Sequence, residues 1–278
     1  MIQYIDYNTD AVDFKDLYAA YTYLYTFPSE DKMEKVDILG VKFDNVTMDE
    51  AIMEVLRLLK NNETDMIVTP NPEIVQLCVD DPSVMEVINS ASLTVADGIG
   101  VIYAAKMLGT PLKGRVPGFE LATNLLRYIE TGEYRLFLLG AAPGIAERAA
   151  ENIKNKYPRI DICGTNDGYF SDEERIVNKI NECEADICFV CLGAPKQEIF
   201  IKRHLKDTCA KVMIGLGGSM DIFAGNVKRA PAWMSRMGLE WLYRLVTNPK
   251  RMRRMMKIPV FLNNVSREKK RRSLEKAR

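Results

Sequence analysis

Short, unbroken apolar runs separated by helix-period segments constrain this chain more than any other feature. Met66-Ile-Val-Thr69, Leu93-Thr-Val-Ala96, Leu136-Phe-Leu-Leu139 and Asp186-Ile-Cys-Phe-Val-Cys-Leu192 are each flanked by longer stretches of helical spacing. A strand apolar on both faces must be covered on both faces, as in a parallel sheet between helices. Two more strands are expected at 160–163 and 211–215. Helices are expected at 73–79, 83–89, 99–108, 119–129, 145–156 and 195–206. Thr47-Met-Asp-Glu50 has the pattern of a capping box, opening a helix to about Leu59. Ser171-Asp-Glu-Glu174 opens another, to about Asn181. Residues 36–46 alternate like strands around a bend at Gly40. The fold class is therefore α/β: a doubly wound, Rossmann-like parallel sheet with a helical C-terminal appendage. Residues 1–35 read as an N-terminal extension without an assigned role, 36–229 as the α/β core and 230–278 as a basic, amphipathic, membrane-associating appendage.

Charge divides the chain unevenly. Its 278 residues have a formal net charge of zero, but residues 250–278 carry twelve Lys/Arg against Glu268 and Glu275. That +10 leaves −10 for the remainder. An acidic body with a basic tail points to a polyanionic partner: anionic lipid, phosphate or nucleic acid. No run of 18 apolar residues is present, so no membrane-spanning helix is expected. Met1-Ile-Gln-Tyr-Ile-Asp-Tyr7 lacks the basic-then-apolar order of a secretory signal, which predicts a cytoplasmic protein. Cys183, Cys188 and Cys191 have a spacing compatible with an iron–sulfur cluster. Odd spacing on a strand sends Cys188 and Cys191 to opposite faces, which favours buried structural thiols.

Open α/β sheets bind ligands beyond the carboxyl ends of their strands. Thr69-Pro-Asn-Pro-Glu73, Ala96-Asp-Gly-Ile-Gly100, Gly140-Ala-Ala-Pro-Gly144, Gly193-Ala-Pro-Lys-Gln-Glu198 and Gly215-Leu-Gly-Gly-Ser-Met-Asp221 all fall there. Together they predict a binding crevice on one side of the sheet. Asp97 ends a buried strand, and two roles stay open for it: N-cap of the following helix or general base. Thr69 and Asn71 are either turn formers or substrate hydrogen-bonding groups. Arg115 lies in a loop held by Gly, Val and Pro. Lys196 and Gln197 open a helix, where a lysine opposes the dipole unless an anion is present. The backbone N–H groups near Gly217, Gly218 and Ser219 are placed to hold a phosphate. His204, the one histidine, falls on a charged helix and is expected at the surface. No Asp-x-Asp pair occurs, so the usual carboxylate cradle for a metal on a nucleotide diphosphate is missing. No G-x-G-x-x-G follows the first strand, which weakens a dinucleotide-dehydrogenase reading.

The C-terminal segment mixes cations with Leu239, Trp241, Leu242, Tyr243, Met252, Met255, Ile258 and Phe261. Aromatics and leucines suit the acyl boundary of a bilayer, and Arg/Lys suit its headgroups. A docked helix whose apolar side covers the core is the alternative.

In this order, these motifs resemble the WecG/TagA/CpsF glycosyltransferases, glycosyltransferase family 26. Arg115-Val-Pro-Gly-Phe119, Gly164-Thr-Asn-Asp-Gly-Tyr-Phe170 and Leu239-Glu-Trp-Leu-Tyr-Arg244 complete the set, which spans residues 36–262. Within the family, the similarity is to the TagA-type N-acetylmannosaminyltransferases of wall teichoic acid synthesis. The resemblance implies transfer from UDP-N-acetylmannosamine to polyprenyl-diphosphate-linked N-acetylglucosamine, with inversion, without metal or other cofactor, at the inner face of the cell membrane. It implies that Asp97 is the general base, with Thr69 beside it. Asn71, Arg115 and Gln197 would line the pocket, while Arg244, Arg251 and Arg254 would close over the leaving diphosphate. Partners would be the UDP-sugar, the lipid-linked acceptor and an anionic membrane surface, not nucleic acid; a homo-oligomer is left open. UDP-N-acetylmannosaminuronic acid or UDP-glucose are alternative donors. A non-catalytic nucleotide-binding scaffold with a lipid- or nucleic-acid-gripping tail is the alternative outside enzymology.

Overall fold

Six parallel strands form the central sheet in the order β4-β3-β8-β7-β5-β6, and a separate antiparallel pair, β1-β2, precedes them. The strands are β1 (Lys35–Ile38), β2 (Val41–Asp44), β3 (Asp65–Val68), β4 (Leu93–Thr94), β5 (Arg135–Gly140), β6 (Asp161–Asn166), β7 (Ile187–Cys191) and β8 (Val212–Gly215). The helices are α1 (Met48–Leu58), α2 (Pro72–Asp80), α3 (Pro82–Asn89), α4 (Ile99–Met107), α5 (Gly118–Ile129), α6 (Ile145–Lys156), α7 (Glu173–Glu182), α8 (Lys196–His204), α9 (Ser219–Phe223) and α10 (Lys257–Lys276). This computed structural model describes residues 33–227 and 255–276, with positions 230, 231, 234 and 243. From Glu34 onward the described residues belong to one compact unit.

Every residue of β7 and of β8 is buried, as solid apolar runs require. Their neighbours in register are drawn from distant segments: Phe189 faces Leu138 on β5 and Ile214 on β8. Local signals set the helix starts. Thr47 Oγ1 accepts from the Glu50 N–H at 3.3 Å while Glu50 Oε2 accepts from the Thr47 N–H at 2.8 Å, so both halves of the capping box form. Asp172, not Ser171, caps α7 through the Arg175 N–H at 3.0 Å. Asp44 is buried, bonds Lys35 and accepts from the Thr94 N–H at 2.8 Å. That contact ties the β1-β2 hairpin to the strand leading to Asp97.

The connection from β5 runs outward to β6, whereas that from β7 runs back toward β8. Adjacent strands whose connections part in opposite directions open a crevice at their carboxyl ends. The topology therefore places a crevice between β5 and β7.

At the other end of the chain, α10 lies on α2 and α4. Phe261 and Val265 are fully buried. Asn264 Nδ2 donates to Gln76 Oε1 at 3.0 Å, and Lys257 Nζ lies 2.8 Å from Asp80 Oδ2. Burying a Phe or Val contributes about 1.5–3 kcal/mol, whereas an exposed ion pair adds under ~1 kcal/mol. Apolar anchoring therefore dominates this docking. The helix nevertheless keeps Val260, Leu262 and Leu274 exposed beside its basic residues, so one face covers the core and the other meets solvent. Residues 1–32 and most of 228–254 lie outside the described residues, and with them the N-terminal extension and the expected roles of Arg244, Arg251 and Arg254.

Candidate active site

The chain turns out of β3 at Thr69 and out of β4 at Asp97, and these two turns are bonded together. The Asp97 N–H donates to the Pro70 carbonyl at 3.1 Å, and the Val116 N–H donates to the Ala96 carbonyl at 2.9 Å. The second bond pins the loop carrying Arg115 against the end of β4. Asp97 is half-buried, and its Oδ2 receives the Gly118 N–H at 3.4 Å, at the start of α5. The N-cap position of α4 is occupied by Gly98 at φ +100°, with no side-chain cap. A left-handed backbone there suits glycine and releases Asp97 from capping. Of the two roles open from sequence, the cap is the one the structure removes.

Thr69, Asn71 and Gln197 are tied into the backbone, and Arg115 faces a carboxylate. Thr69 is buried, and its hydroxyl donates to the Gly215 carbonyl at 3.0 Å, joining β3 to β8. Asn71 is the N-cap of α2, its Oδ1 accepting from the Ile74 N–H at 3.0 Å. Arg115 lies 3.9 Å from Glu120 on the first turn of α5. Gln197 is buried, with Oε1 accepting from the Gly193 N–H at 3.2 Å and from the Gly217 N–H at 2.9 Å. The Gly217 N–H is thus already used, and the Ser219 N–H donates to the Leu216 carbonyl at 3.2 Å. The phosphate cradle expected over Gly217, Gly218 and Ser219 therefore has two of its three N–H groups bonded within the chain.

On the β5-β7 side the sheet opens into a cleft of about 760 Å³, at the crevice the topology predicts. Ala141, Gly168, Tyr169, Leu192, Lys196 and Asp221 are among its lining residues. The Gly168 N–H donates to the Ala141 carbonyl at 2.8 Å, and the Ala141 N–H to the Cys191 carbonyl at 3.1 Å, which fixes the floor. Tyr169 is 79% exposed. A bare aromatic face beside a carboxylate that can only accept hydrogen bonds suits a planar ligand bearing N–H groups. Neither Tyr169 nor Asp221 was singled out by sequence, although both stand in segments that resemble the family. An aromatic directly after an Asp-Gly turn at a strand end was the available signal.

One sequence expectation is corrected, and Lys196 at the cleft gains partners within the chain. Its Nζ donates to the Gly168 carbonyl at 3.1 Å and stands 4.8 Å from the centroid of the Phe170 ring. His204 is not at the surface. Its side chain is buried between Glu173, 2.8 Å from Nε2, and Asp207, 3.3 Å from Nδ1. The apolar contact with Phe200, centroids 4.9 Å apart, draws it inward. Burial pushes the Cys191 thiol up to about 12, so this residue at the cleft is a neutral thiol near pH 7.

Thr69, Asn71, Asp97, Arg115 and Gln197 are not among the residues lining the cleft, and the link between the two sides runs through packing. Phe119, one residue past Gly118, packs on Phe223 of α9 with ring centroids 4.7 Å apart. The same short helix carries Asp221 into the cleft.

The profile of the glycosyl transferase WecG/TagA/CpsF family matches residues 36–275. A Bacillus spizizenii protein named N-acetylglucosaminyldiphosphoundecaprenol N-acetyl-beta-D-mannosaminyltransferase is 42% identical over 207 residues, 74% of this chain and 80% of that protein. A Staphylococcus aureus protein of the same name is 38% identical over 256 residues, 91% of this chain and 100% of that protein. With a match of this extent, and relatives aligned over most or all of their own length, the chain belongs to the WecG/TagA/CpsF family of glycosyltransferases.

Proposed function

We propose that this enzyme transfers N-acetylmannosamine from UDP-N-acetylmannosamine to a polyprenyl-diphosphate-linked N-acetylglucosamine, at the inner face of the cell membrane. The carrying observation is Asp97, a half-buried carboxylate at the carboxyl end of the sheet that is not the N-cap of α4 and is held by the Gly118 N–H. The relatives' names supply the transferred sugar, the undecaprenyl-linked acceptor and the β linkage.

The reaction is a single in-line displacement. Asp97 takes the proton of the acceptor hydroxyl as that oxygen attacks the anomeric carbon. The carbon–oxygen bond to UDP breaks, and UDP leaves with the electron pair. Inversion at an α-linked donor gives the β linkage in the relatives' names. The nucleotide occupies the cleft, its base against Tyr169 and Asp221. Because two of the N–H groups near Gly217 are already bonded, most of the charge on the leaving diphosphate falls to cationic side chains. Arg115 is the candidate among the described residues, and Arg244, Arg251 and Arg254 are the candidates beyond them. No metal ion is required. The exposed, basic side of α10, with Val260 and Leu262, contributes to membrane contact.

Family membership sets aside the non-catalytic scaffold. The deciding experiment offers a panel of UDP-sugars and a short-chain prenyl-diphosphate N-acetylglucosamine to the full-length protein, with EDTA present. Turnover with UDP-N-acetylmannosamine alone is the expected result. Turnover only with UDP-glucose or UDP-N-acetylmannosaminuronic acid would replace the donor, and dependence on added metal would overturn the metal-free displacement.

A further inference from the structure

We propose that Glu198 is a positioning residue for this reaction: its carboxyl fixes the side-chain amide of Gln197, which holds the loops after β7 and β8 together. The inference rests on the transferase reading above.

Gln197 and Glu198 are consecutive on the first turn of α8, and both are buried, at 2% and 1% exposure. A glutamate on a first turn ordinarily faces water, where it complements the helix dipole. Here Glu198 Oε1 accepts from Gln197 Nε2 at 2.8 Å. On the other side, Gln197 Oε1 takes the N–H groups of Gly193 and Gly217. A carboxamide turned by 180° would set its NH₂ against two N–H donors and lose both of those bonds. The two N–H donors and the Glu198 oxygen facing Nε2 together select one orientation. Gly215 makes room for it, since a Cβ there would stand 3.0 Å from Gln197 Nε2.

What this amide holds is the site itself. Gly193 lies between Leu192 and Lys196, which line the cleft, and Gly217 leads into α9 and Asp221. The carbonyl of Gly215 receives the Thr69 hydroxyl, on the turn bonded to that of Asp97. One buried amide thus joins the loops after β7 and β8, and the Thr69–Gly215 bond extends the link toward the base.

Glu198 Oε2 is buried and has no hydrogen-bond partner among the described residues. Burial raises its pKa in the folded protein, against the opposing bond from Gln197. A methionine would fill similar space without the cost of burying an acid. What the acid adds is the acceptor for Gln197.

The test uses Glu198→Gln, Glu198→Met, Gln197→Met and the Met/Met double variant of the full chain. Three readouts are taken: transfer kinetics, UDP affinity, and amide hydrogen exchange over residues 192–219. Glu198→Met is expected to lose about tenfold to a hundredfold in kcat/KM, and to speed exchange at Gly193 and Gly217. Glu198→Gln, whose amide oxygen can still accept, stays within about threefold of the parent. The double variant is no worse than Gln197→Met, because the two residues act as one unit. Parental behaviour of Glu198→Met, equal damage from Glu198→Gln, or additive losses would each overturn the proposal. If Glu198→Met does not fold, Glu198→Asp withdraws the acceptor by one methylene and carries the same expectations. A parent inactive with every donor would defeat the functional reading, while exchange and UDP affinity would still decide the role of Glu198.

Discussion

The two halves of the sheet's carboxyl edge are built on opposite plans. At the ends of β3 and β4, three site residues are tied into the chain: Thr69 to Gly215, Asn71 to Ile74, Asp97 to Gly118. At the ends of β5 to β7, backbone bonds fix only the floor, and Tyr169 stands out into solvent. A group that must take a proton at one position benefits from a held carboxylate, because misplacement costs rate. A surface that binds and releases a nucleotide benefits from bare aromatic area. The division predicts that chemistry fails on one side and affinity on the other.

The largest effect expected is from Asp97→Asn. The amide keeps the size of the side chain but cannot take a proton. kcat should fall by about 10²–10⁴-fold, the range for general acid–base catalysis, with UDP affinity and melting temperature near parental values. Calorimetry with UDP alongside turnover checks this. A variant that folds and retains full kcat would remove Asp97 from the chemistry.

Phe261→Ala probes a region belonging to neither half. The side chain is fully buried where α10 meets α2 and α4, and truncating a buried Phe costs about 3–5 kcal/mol. The loss is read by urea denaturation. Docking also alters what removal of the basic tail would mean, because a cut before residue 257 uncovers the core as well as removing cations. Point substitutions at exposed positions such as Lys269 and Lys270 are the cleaner probe of membrane binding, since they leave Phe261 and Val265 in place.

Tyr169→Ala should sharpen the comparison from the cleft side. Loss of stacking on one base is worth about 1–3 kcal/mol, so UDP dissociation should rise by roughly tenfold. kcat at saturating donor should hold near the parental value. A fall in kcat with unchanged UDP affinity would contradict the division of labour.

The layout of the sheet was legible in the sequence because its strands are apolar on both faces and its helices start with local caps. Those signals lie within a few residues of where they act. What fell outside reach was set across the fold. Whether Asp97 caps α4 depends on the conformation of Gly98. Whether the N–H of Gly217 is available depends on Gln197, twenty residues earlier on another strand end. His204 was placed at the surface because its helix is charged, yet Phe200, Glu173 and Asp207 enclose it. Glu198 gives no signal in the sequence, because a first-turn glutamate ordinarily faces water and complements the helix dipole.

Glu198 also makes the smallest prediction, one of sign. Desolvation outweighs the opposing bond from Gln197 and raises its pKa in the folded protein. Above the ordinary carboxylate range the unfolded chain has released this proton and the folded chain retains it. The folded state then binds more protons, so its stability falls with rising pH. The contribution is fully present below the unfolded pKa and is lost progressively as pH climbs to the folded one. Glu198→Gln carries no titrating proton and should lack that slope. Relative to the parent it should gain stability between pH 4 and pH 8, a difference read from denaturation midpoints at the two values. Identical slopes would mean that the carboxyl ionises within the fold as freely as outside it. In that case water or a cation reaches Oε2, and the closed interior in which Glu198 orients Gln197 would not exist as described.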